Sequence, residues 1–462
     1  MTEVKIISGE RFTPYSLAKK LRAKVLLESA SLKMGRSRYS ILLIKKAFSV
    51  YKDGEQIFME KDGRRFLLKN GDKNFLDIVN YFADEHEPDH YDFPFPAGGI
   101  GYLSYEYADR FDSVRFREKA DSIKIPEAYF IFGHIFLIFD HYTDRIIILG
   151  INYKEHKISL DSAFKEIEAS IDDLNFNFMS AKEKDYPVEK NTALEEKSNF
   201  IGNVEKIKNE IVNGNLLQGV LSRRIYLKTE ISALSAYKNL RSFNPSPYMF
   251  YLDFDSFQLF GASPEVHVKV KDGKVIMRPI AGTRKRGKNK AEDSALETEL
   301  LNDEKEKAEH LMLVDLCRND LGRICKPGSV HVMESMAVER YSHVMHIVSQ
   351  VEGELSDNKT GADAVRATFP AGTVSGAPKI RAMEIIDSLE HKKRGFYAGI
   401  VAYFEPGGTM DSCITIRSGL KRGDSLFLQA GAGIVYDSIP EKEYEETNSK
   451  LAALGKAVGV EV

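Results

Sequence analysis

The sequence predicts an α+β fold. Segments of β-type composition come in runs, at 250–254, 257–263, 266–270 and 274–280, with only short connections between them. Helical periodicity is concentrated elsewhere, near 200–211, 291–318, 376–391 and 440–457. The strict strand–helix alternation of a doubly wound parallel sheet is missing.

The first 170 residues are rich in short apolar runs, of which AYFIFGHIFLIFD (128–140) and DRIIILGI (144–151) read as strands. Residues 171–199 turn acidic, lysine-rich and aperiodic. They divide the chain into an N-terminal region 1–175, a linker or surface crossing at 176–199, and a C-terminal region 200–462. There Phe200, Val204, Ile207 and Ile211 recur at helical spacing and Gly214 supplies a stop. VLSRRIYL (220–227) follows as a strand. Asp272-Gly273 reads as a tight hairpin turn between VHVKV and KVIMRPI. GIVAYF (399–404), SCITIRSGL (412–420) and SLFLQAG (425–431) return to strand before the final helix.

Composition sets the class. Of 462 residues, 43% are hydrophobic and 29% charged, which excludes disorder as the main state. Apolar runs such as ILLI (41–44) fall far short of the ~20 residues of a membrane span. The N-terminal MTEVKIISGERF lacks the cationic and apolar regions of a signal peptide. Three cysteines, Cys317, Cys325 and Cys413, are odd in number and lack metal-ligand spacing, so a reduced, cytoplasmic chain is expected. A net charge of −3 argues against nucleic acid as a partner.

Two acidic pairs could carry chemistry. Glu306 and Glu309 lie three apart on one predicted helix, Glu443 and Glu446 three apart on another. Each pair shares a helix face, so two such helices meeting would form an oxygen-rich site suited to Mg²⁺. Solvated helix faces carry such pairs too, and Glu306 also fits a capping box behind Asp303, so spacing alone leaves the choice open. Gly-rich turns at 279–283, 370–379 and 429–433 could expose backbone N–H groups to a carboxylate, or merely shape the chain; none matches a phosphate loop or dinucleotide fingerprint. Arg278, Arg284, Lys285, Arg286, Lys288 and Lys290 form a basic run without interleaved aromatics. It reads as a solvated loop that supplies one cation to an anionic ligand. His343 and His346 lie three apart, and no nucleophile-elbow pattern is present.

At these residues the chain resembles the anthranilate synthase component I family of chorismate-utilising enzymes. The resemblance is dense from about 200 to 456, through LLQGVLSRR (216–224), GASPE (261–265), RPIAGTRKRG (278–287), AEHLMLVDLCRNDLGR (308–323), ERYSHVMHIVSQVEG (339–353), TFPAGTVSGAPKIRAMEIID (368–387), RGFYAGIVAYF (394–404) and QAGAGIVYDS (429–438). It is sparser at LLESA (26–30) and FPAGGIGYLSYEY (95–107). The resemblance implies two interleaved halves, with packed β-sheets and helices outside. It implies that chorismate and ammonia form an aminodeoxyisochorismate, which loses pyruvate to give anthranilate. Mg²⁺ would be held by Glu309 and Glu446, with Glu306 and Glu443 reaching its waters. Gly282, Thr283, Tyr397, Arg417, Gly431, Ala432 and Gly433 fall on chorismate-contacting positions, and Lys379 on one near the ring carboxylate. Glu265 falls on the acid that assists departure of the C4 hydroxyl, which requires a raised pKa. His346 falls on the position tied to the elimination, as base or orienter.

Two positions select among relatives. Isochorismate and salicylate synthases carry a water-activating Lys where this chain has Gln218. Aminodeoxychorismate synthases, the alternative reading, carry a nucleophilic Lys where it has Ala281. Alanine cannot attack C2, so ammonia enters there directly and the ortho product is expected. A non-catalytic regulatory paralogue is disfavoured by the presence of all four glutamates. No cysteine sits in a glutamine-hydrolysing site and no stretch of domain size (~100–200 residues) is left for one, so a separate glutamine amidotransferase subunit, and hence a hetero-oligomer, is expected. The resemblance also places Ser29 of an LLES segment, with Pro247, Tyr248 and Met249, in a regulatory pocket for L-tryptophan. There Tyr248 and Met249 would pack on the indole ring.

Overall fold

A computed structural model describes every residue except 32–34, 37, 70, 72, 88–90, 122, 174–185, 192–193, 341–343 and 462. His343 and much of the stretch read as a linker lie outside the described residues. Within that stretch, Val188–Asn191 is a strand pairing with Tyr226–Thr229, and the helix predicted from Phe200 begins at Leu194.

The fold is α+β, and the strand ladders among the described residues are antiparallel. Two long strands of the N-terminal half, Tyr39–Asp53 and Ala128–Asp140, organise it. Their ladder shifts register between Leu43 and Phe48, and on either side of those shifts they belong to different layers. On one side, Ile41–Leu43 pairs with Val25–Leu27, which leads through Tyr248–Asp253, Gln258–Ser263, Ser418–Arg422 and Ser425–Ile434 to Gln218–Thr229. On the other side, Ala128–Ile131 pairs with Ile100–Leu103. That strand leads through Ile400–Phe404, Met410–Ile414, Val266–Lys271 and Lys274–Met277 to Val344–Glu354. Both halves of the chain therefore contribute strands to both layers, joined where Val25–Glu28 meets Tyr248–Asp253 and where Ile100–Leu103 meets Ile400–Phe404.

The cores follow from strand alternation. Ile41 and Leu43 point into the inter-layer core with Phe48, Tyr102, Phe130, Phe250, Val268 and Ile400. Leu42, between them, points outward and packs with Leu17, Leu160, Leu240, Leu451 and Leu454 from four helices. Each fully buried side chain of this kind stabilises by roughly 1.5–3 kcal/mol. No helix among the described residues is long and apolar enough to cross a membrane. Cys317, Cys325 and Cys413 are buried free thiols.

Several elements differ from expectation. The helix predicted over 291–318 is two helices, Lys290–Asn302 and Glu304–Gly322, because Asp303 takes an extended conformation and its carboxylate caps the N–H groups of Lys305 and Glu306. SCITIRSGL breaks between Ile414 and Ser418, where Arg417 adopts a positive φ of 51°. The 429–433 segment is the second half of the strand Ser425–Ile434 rather than a turn. The hairpin of His331–Arg340 and Val344–Glu354 has no counterpart among the predicted elements, and its ladder slips twice, which destroys the period-two pattern. The Asp272-Gly273 turn is as expected, with both residues at positive φ.

Candidate active site

The two acidic pairs meet. Glu306 and Glu309 project from Glu304–Gly322, Glu443 and Glu446 from Pro440–Ala457. The half-buried Glu309 carboxyl is held above its ordinary range by burial and by the charges of Glu306 and Glu446; Glu443 is raised by burial and by Glu446. Each carboxylate leans on a protein group. Glu306 accepts from Arg284 at 3.0 Å, Glu309 from Gln218 Nε2 at 2.9 Å, and Glu446 from Lys450 at 2.6 Å. No three acidic, His or Cys side chains among the described residues are drawn into a closed metal cage. The donors are nonetheless all oxygen, the carboxylates repel one another, and the buried Gln218 Oε1 has no hydrogen-bond partner among the described residues. That set fits a hard divalent cation such as Mg²⁺.

Gly433 makes the Gln218–Glu309 contact possible. A Cβ there would lie 2.8 Å from Gln218 Nε2. Gly431 lies on the same face of its strand, where a Cβ would meet Tyr397 Oη at 2.7 Å and the Leu221 carbonyl at 2.6 Å. Ala432 points the other way, into the cluster of Phe200, Val204 and Ile386, so it can offer the site only backbone. The strand Ser425–Ile434 has neighbours on both edges as far as Leu428; from Gln429 onward only Gly219–Arg224 pairs with it. No strand covers its second edge there among the described residues, and Lys450 Nζ donates to the Gly431 carbonyl at 2.9 Å.

Tyr397 and Arg417 complete this side. Burial pushes the Tyr397 hydroxyl up to about 12, so it stays a donor. Arg417 forms a single long bond, 3.4 Å, to the Lys450 carbonyl and no carboxylate ion pair among the described residues. A half-buried guanidinium that feels the charge of Glu446 but makes no close ion pair with it among the described residues suits an anionic ligand.

Gly282 lies at a bulge where the ladder slips between Ala281 and Thr283, with a φ of 74° that favours glycine. The slip sets Thr283 opposite His346, whose Nδ1 lies 2.9 Å from Thr283 Oγ1 and 3.1 Å from the Gly282 carbonyl. That carbonyl can only accept, so Nδ1 carries the proton and Nε2 is the basic nitrogen. Burial lowers the His346 pKa to about 4, leaving the ring neutral.

Glu265 is buried, and burial raises its carboxyl to about 8 against the opposing hydrogen bond from Thr373 Oγ1 at 2.8 Å. It lines a small cleft with Cys317, Asp320 and Thr373.

Three expectations change. Lys379 is not presented with the other cations: its ammonium is engaged by Asp320 at 2.7 Å and the Thr368 carbonyl at 3.0 Å, and its charge acts on His267 and Cys317. It organises the wall behind Glu265. The basic run supplies no spare cation from its ion-paired members, because Arg284 binds Glu299, Asp303 and Glu306, Arg286 binds Asp293, and Arg278 binds Glu339. Tyr248 and Met249 do not share a ligand face. Tyr248 donates to Asp411 at 2.9 Å and packs on the inter-layer core, whereas Met249 lies in the opposite core. The two regulatory segments do meet, since Glu28 pairs with Met249 and the Ala30 N–H donates to the Ser246 carbonyl at 3.0 Å. Pro247 is half-buried beside them.

The structure adds Lys450 and Thr373, which sequence reasoning missed. Lys450 was signalled by its place one helical turn after Glu446, a spacing at which Glu and Lys pair. Thr373 carried no such signal.

A family model described as "chorismate binding enzyme" matches residues 41–456. The chain is 55% identical over 463 residues to an anthranilate synthase component 1 from Spirochaeta aurantia, covering 100% of this chain and 96% of that one. It is 40% identical over 445 residues to an aminodeoxychorismate synthase component 1 from Bacillus subtilis, covering 96% and 93%. A crystal structure of anthranilate synthase component I from Streptococcus pneumoniae superposes with a TM-score of 0.80 at 37% identity, covering 90% of this chain and 92% of that one.

Proposed function

From a chain that belongs to the chorismate binding enzyme family, we propose an anthranilate synthase large component, converting chorismate and ammonia to anthranilate and pyruvate as the entry into tryptophan biosynthesis. Relatives of both the ortho-amino and para-amino kinds are similar along nearly the whole chain, so overall identity does not choose between them. The observation that carries the choice is Ala281, next to the Gly282 bulge, where no side-chain amine is available to attack C2.

The chain's own groups divide the work. Arg417, which makes no close ion pair among the described residues, and the strand edge at Gly431–Gly433 hold the substrate carboxylates. Glu265, still protonated at neutral pH, donates to the departing C4 hydroxyl, oriented by Thr373. The unpaired Gln218 Oε1 offers an acceptor to an N–H of incoming ammonia. An amide has no basic lone pair with which to activate water. Neutral His346, its tautomer set by the Gly282 carbonyl, takes or orients the proton lost in the elimination of pyruvate. Glu309 and Glu446, backed by Glu306 and Glu443, would hold Mg²⁺, whose chemistry there is to bind and polarise the ring carboxylate.

The reading includes a cytoplasmic location, a glutamine amidotransferase partner that supplies ammonia, and inhibition by L-tryptophan where the segments of Ser29 and Tyr248 meet. Product identification tests it. Purified chain, chorismate, Mg²⁺ and ammonium at mildly alkaline pH should yield fluorescent ortho-aminobenzoate. A para-amino product or isochorismate would overturn the assignment.

A further inference from the structure

Lys450 joins two groups that the proposed reaction uses for different purposes. Its Nζ donates to Glu446 Oε1 at 2.6 Å and to the Gly431 carbonyl at 2.9 Å. Glu446 belongs to the carboxylate set read above as holding Mg²⁺, and Gly431 to the strand edge read as meeting substrate. The positive charge of Lys450 also reaches Glu265 and His346, so the ammonium sits at the heart of the site.

The Lys450–Glu446 pair is built to exchange. It spans one turn of a single helix, and its side chains are 32% and 48% exposed. Pairs of that kind are among the weakest ionic contacts in proteins. Arg284 makes a similar contact to Glu306 but is anchored differently. It also donates to Glu299 at 2.9 Å, to Asp303 at 2.7 Å and to the Thr283 carbonyl at 3.0 Å, so loss of Glu306 would leave it three other acceptors in place. Of the two cations, only Lys450 has few ties beyond the carboxylate it neutralises.

We infer that Lys450 is an exchange cation that couples substrate to metal. In the free chain it occupies Glu446. A substrate carboxylate docking between Arg417 and the Gly431 edge draws the ammonium to itself, and Glu446 is released to the divalent cation. Substrate therefore tightens metal binding and metal tightens substrate binding by the same factor, as linkage requires. The inference rests on the functional reading above and adds the order in which the site's charges are satisfied. Lys450 thus touches the substrate carboxylate directly and acts on the metal through Glu446.

The test is calorimetric titration of Mg²⁺ into the free chain, alone and with saturating chorismate in ammonium-free buffer. The wild type should bind Mg²⁺ at least about fivefold more tightly with chorismate present, the lower end of typical inter-site coupling. Lys450→Gln should bind Mg²⁺ more tightly than the wild type when chorismate is absent, and chorismate should then tighten it by a smaller factor than in the wild type, because contact of the cation with the substrate carboxylate remains while the exchange is lost. Lys450→Arg, which keeps the charge, should restore the weak metal binding of the chorismate-free state. Removing any nearby positive charge would raise cation affinity, so the deciding quantity is the change in the chorismate-dependent factor. If Lys450→Gln retains the wild-type factor, exchange is overturned and the functional reading stands. If the wild type binds no Mg²⁺ with chorismate present, judged by titration at two temperatures, both are overturned.

Discussion

The Thr373 hydroxyl donates to Glu265 Oε1 at 2.8 Å, in a setting so buried that the carboxyl is pushed up to about 8 despite that bond. A hydrogen bond to a carboxylate favours its ionised form and burial favours the neutral one; here burial wins. The acid is therefore still charged with its proton at neutral pH.

If Glu265 is the acid of the proposed reaction, activity should fall as pH rises through about 8, where its proton is lost. Glu265→Gln should lower kcat by about 10²–10⁴ and remove that alkaline limb. Stability should respond in a matching direction. The folded pKa lies above the unfolded one, so stability is full below the unfolded carboxyl range and declines as pH rises toward and through about 8. Glu265→Gln should thus melt higher than the wild type at pH values above 8, and equal melting there would refute the raised pKa. With ammonium as nitrogen source, rising pH supplies more free ammonia but less protonated Glu265, so the kcat profile is best read with a glutamine-hydrolysing partner present.

Glu309→Gln and Glu446→Gln should each reduce Mg²⁺-dependent turnover more than ~100-fold, since each removes a ligand charge at a step that a metal assists by several kcal/mol. Thermal stability should not fall for Glu309→Gln, because that carboxylate is crowded by Glu306 and Glu446. Near-wild-type turnover in either variant would mean that the ligands are assigned wrongly.

The two glycines on the site face should respond differently to a methyl group. Gly433→Ala presses on the flexible end of Gln218, which can shift away from Glu309. An activity loss of about 10²-fold with little change in melting temperature is expected, the scale of a small misplacement in a catalytic site. Gly431→Ala meets the Leu221 carbonyl at 2.6 Å, a backbone atom that cannot turn aside, so stability and activity should fall together. Equal melting temperatures for both variants would contradict these contacts.

Ala281→Lys places an amine next to the Gly282 bulge. Anthranilate formation should drop, and mass spectrometry of the protein after incubation with chorismate should reveal any adduct of that amine. Unchanged rate and product would show that residue 281 does not face the ring.

L-Tryptophan should inhibit, less strongly at saturating chorismate, and Ser29→Ala should raise the concentration needed for half inhibition while sparing uninhibited activity. Met249→Thr should differ from it. Met249 is buried on the face opposite Tyr248, so any desensitisation should come with a lower melting temperature. Activity titrations and melts of all three proteins decide this, and an insensitive wild type would remove the regulatory reading alone.

Much of this protein was determined by the sequence itself. The α+β class, the strands from 248 to 277, the turn at Asp272-Gly273 and the helix that carries Glu443 and Glu446 follow from periodicity and turn chemistry, which depend on neighbours in the chain. The paired glutamates three apart were legible for the same reason, whereas the glycines of 429–433 were read as a turn and the meaning of Ala281 came only from the family resemblance. What only the tertiary structure decided depends on groups distant in sequence. That two helices more than a hundred residues apart share one charge cluster, that Lys379 is claimed by Asp320 and Arg284 by three carboxylates, and that Tyr248 and Met249 face opposite cores are matters of packing. The shift of Tyr39–Asp53 and Ala128–Asp140 from one layer to the other is equally invisible locally, because either register satisfies the backbone. The choice falls to the apolar side chains, each of which must find a core on its own side of the strand.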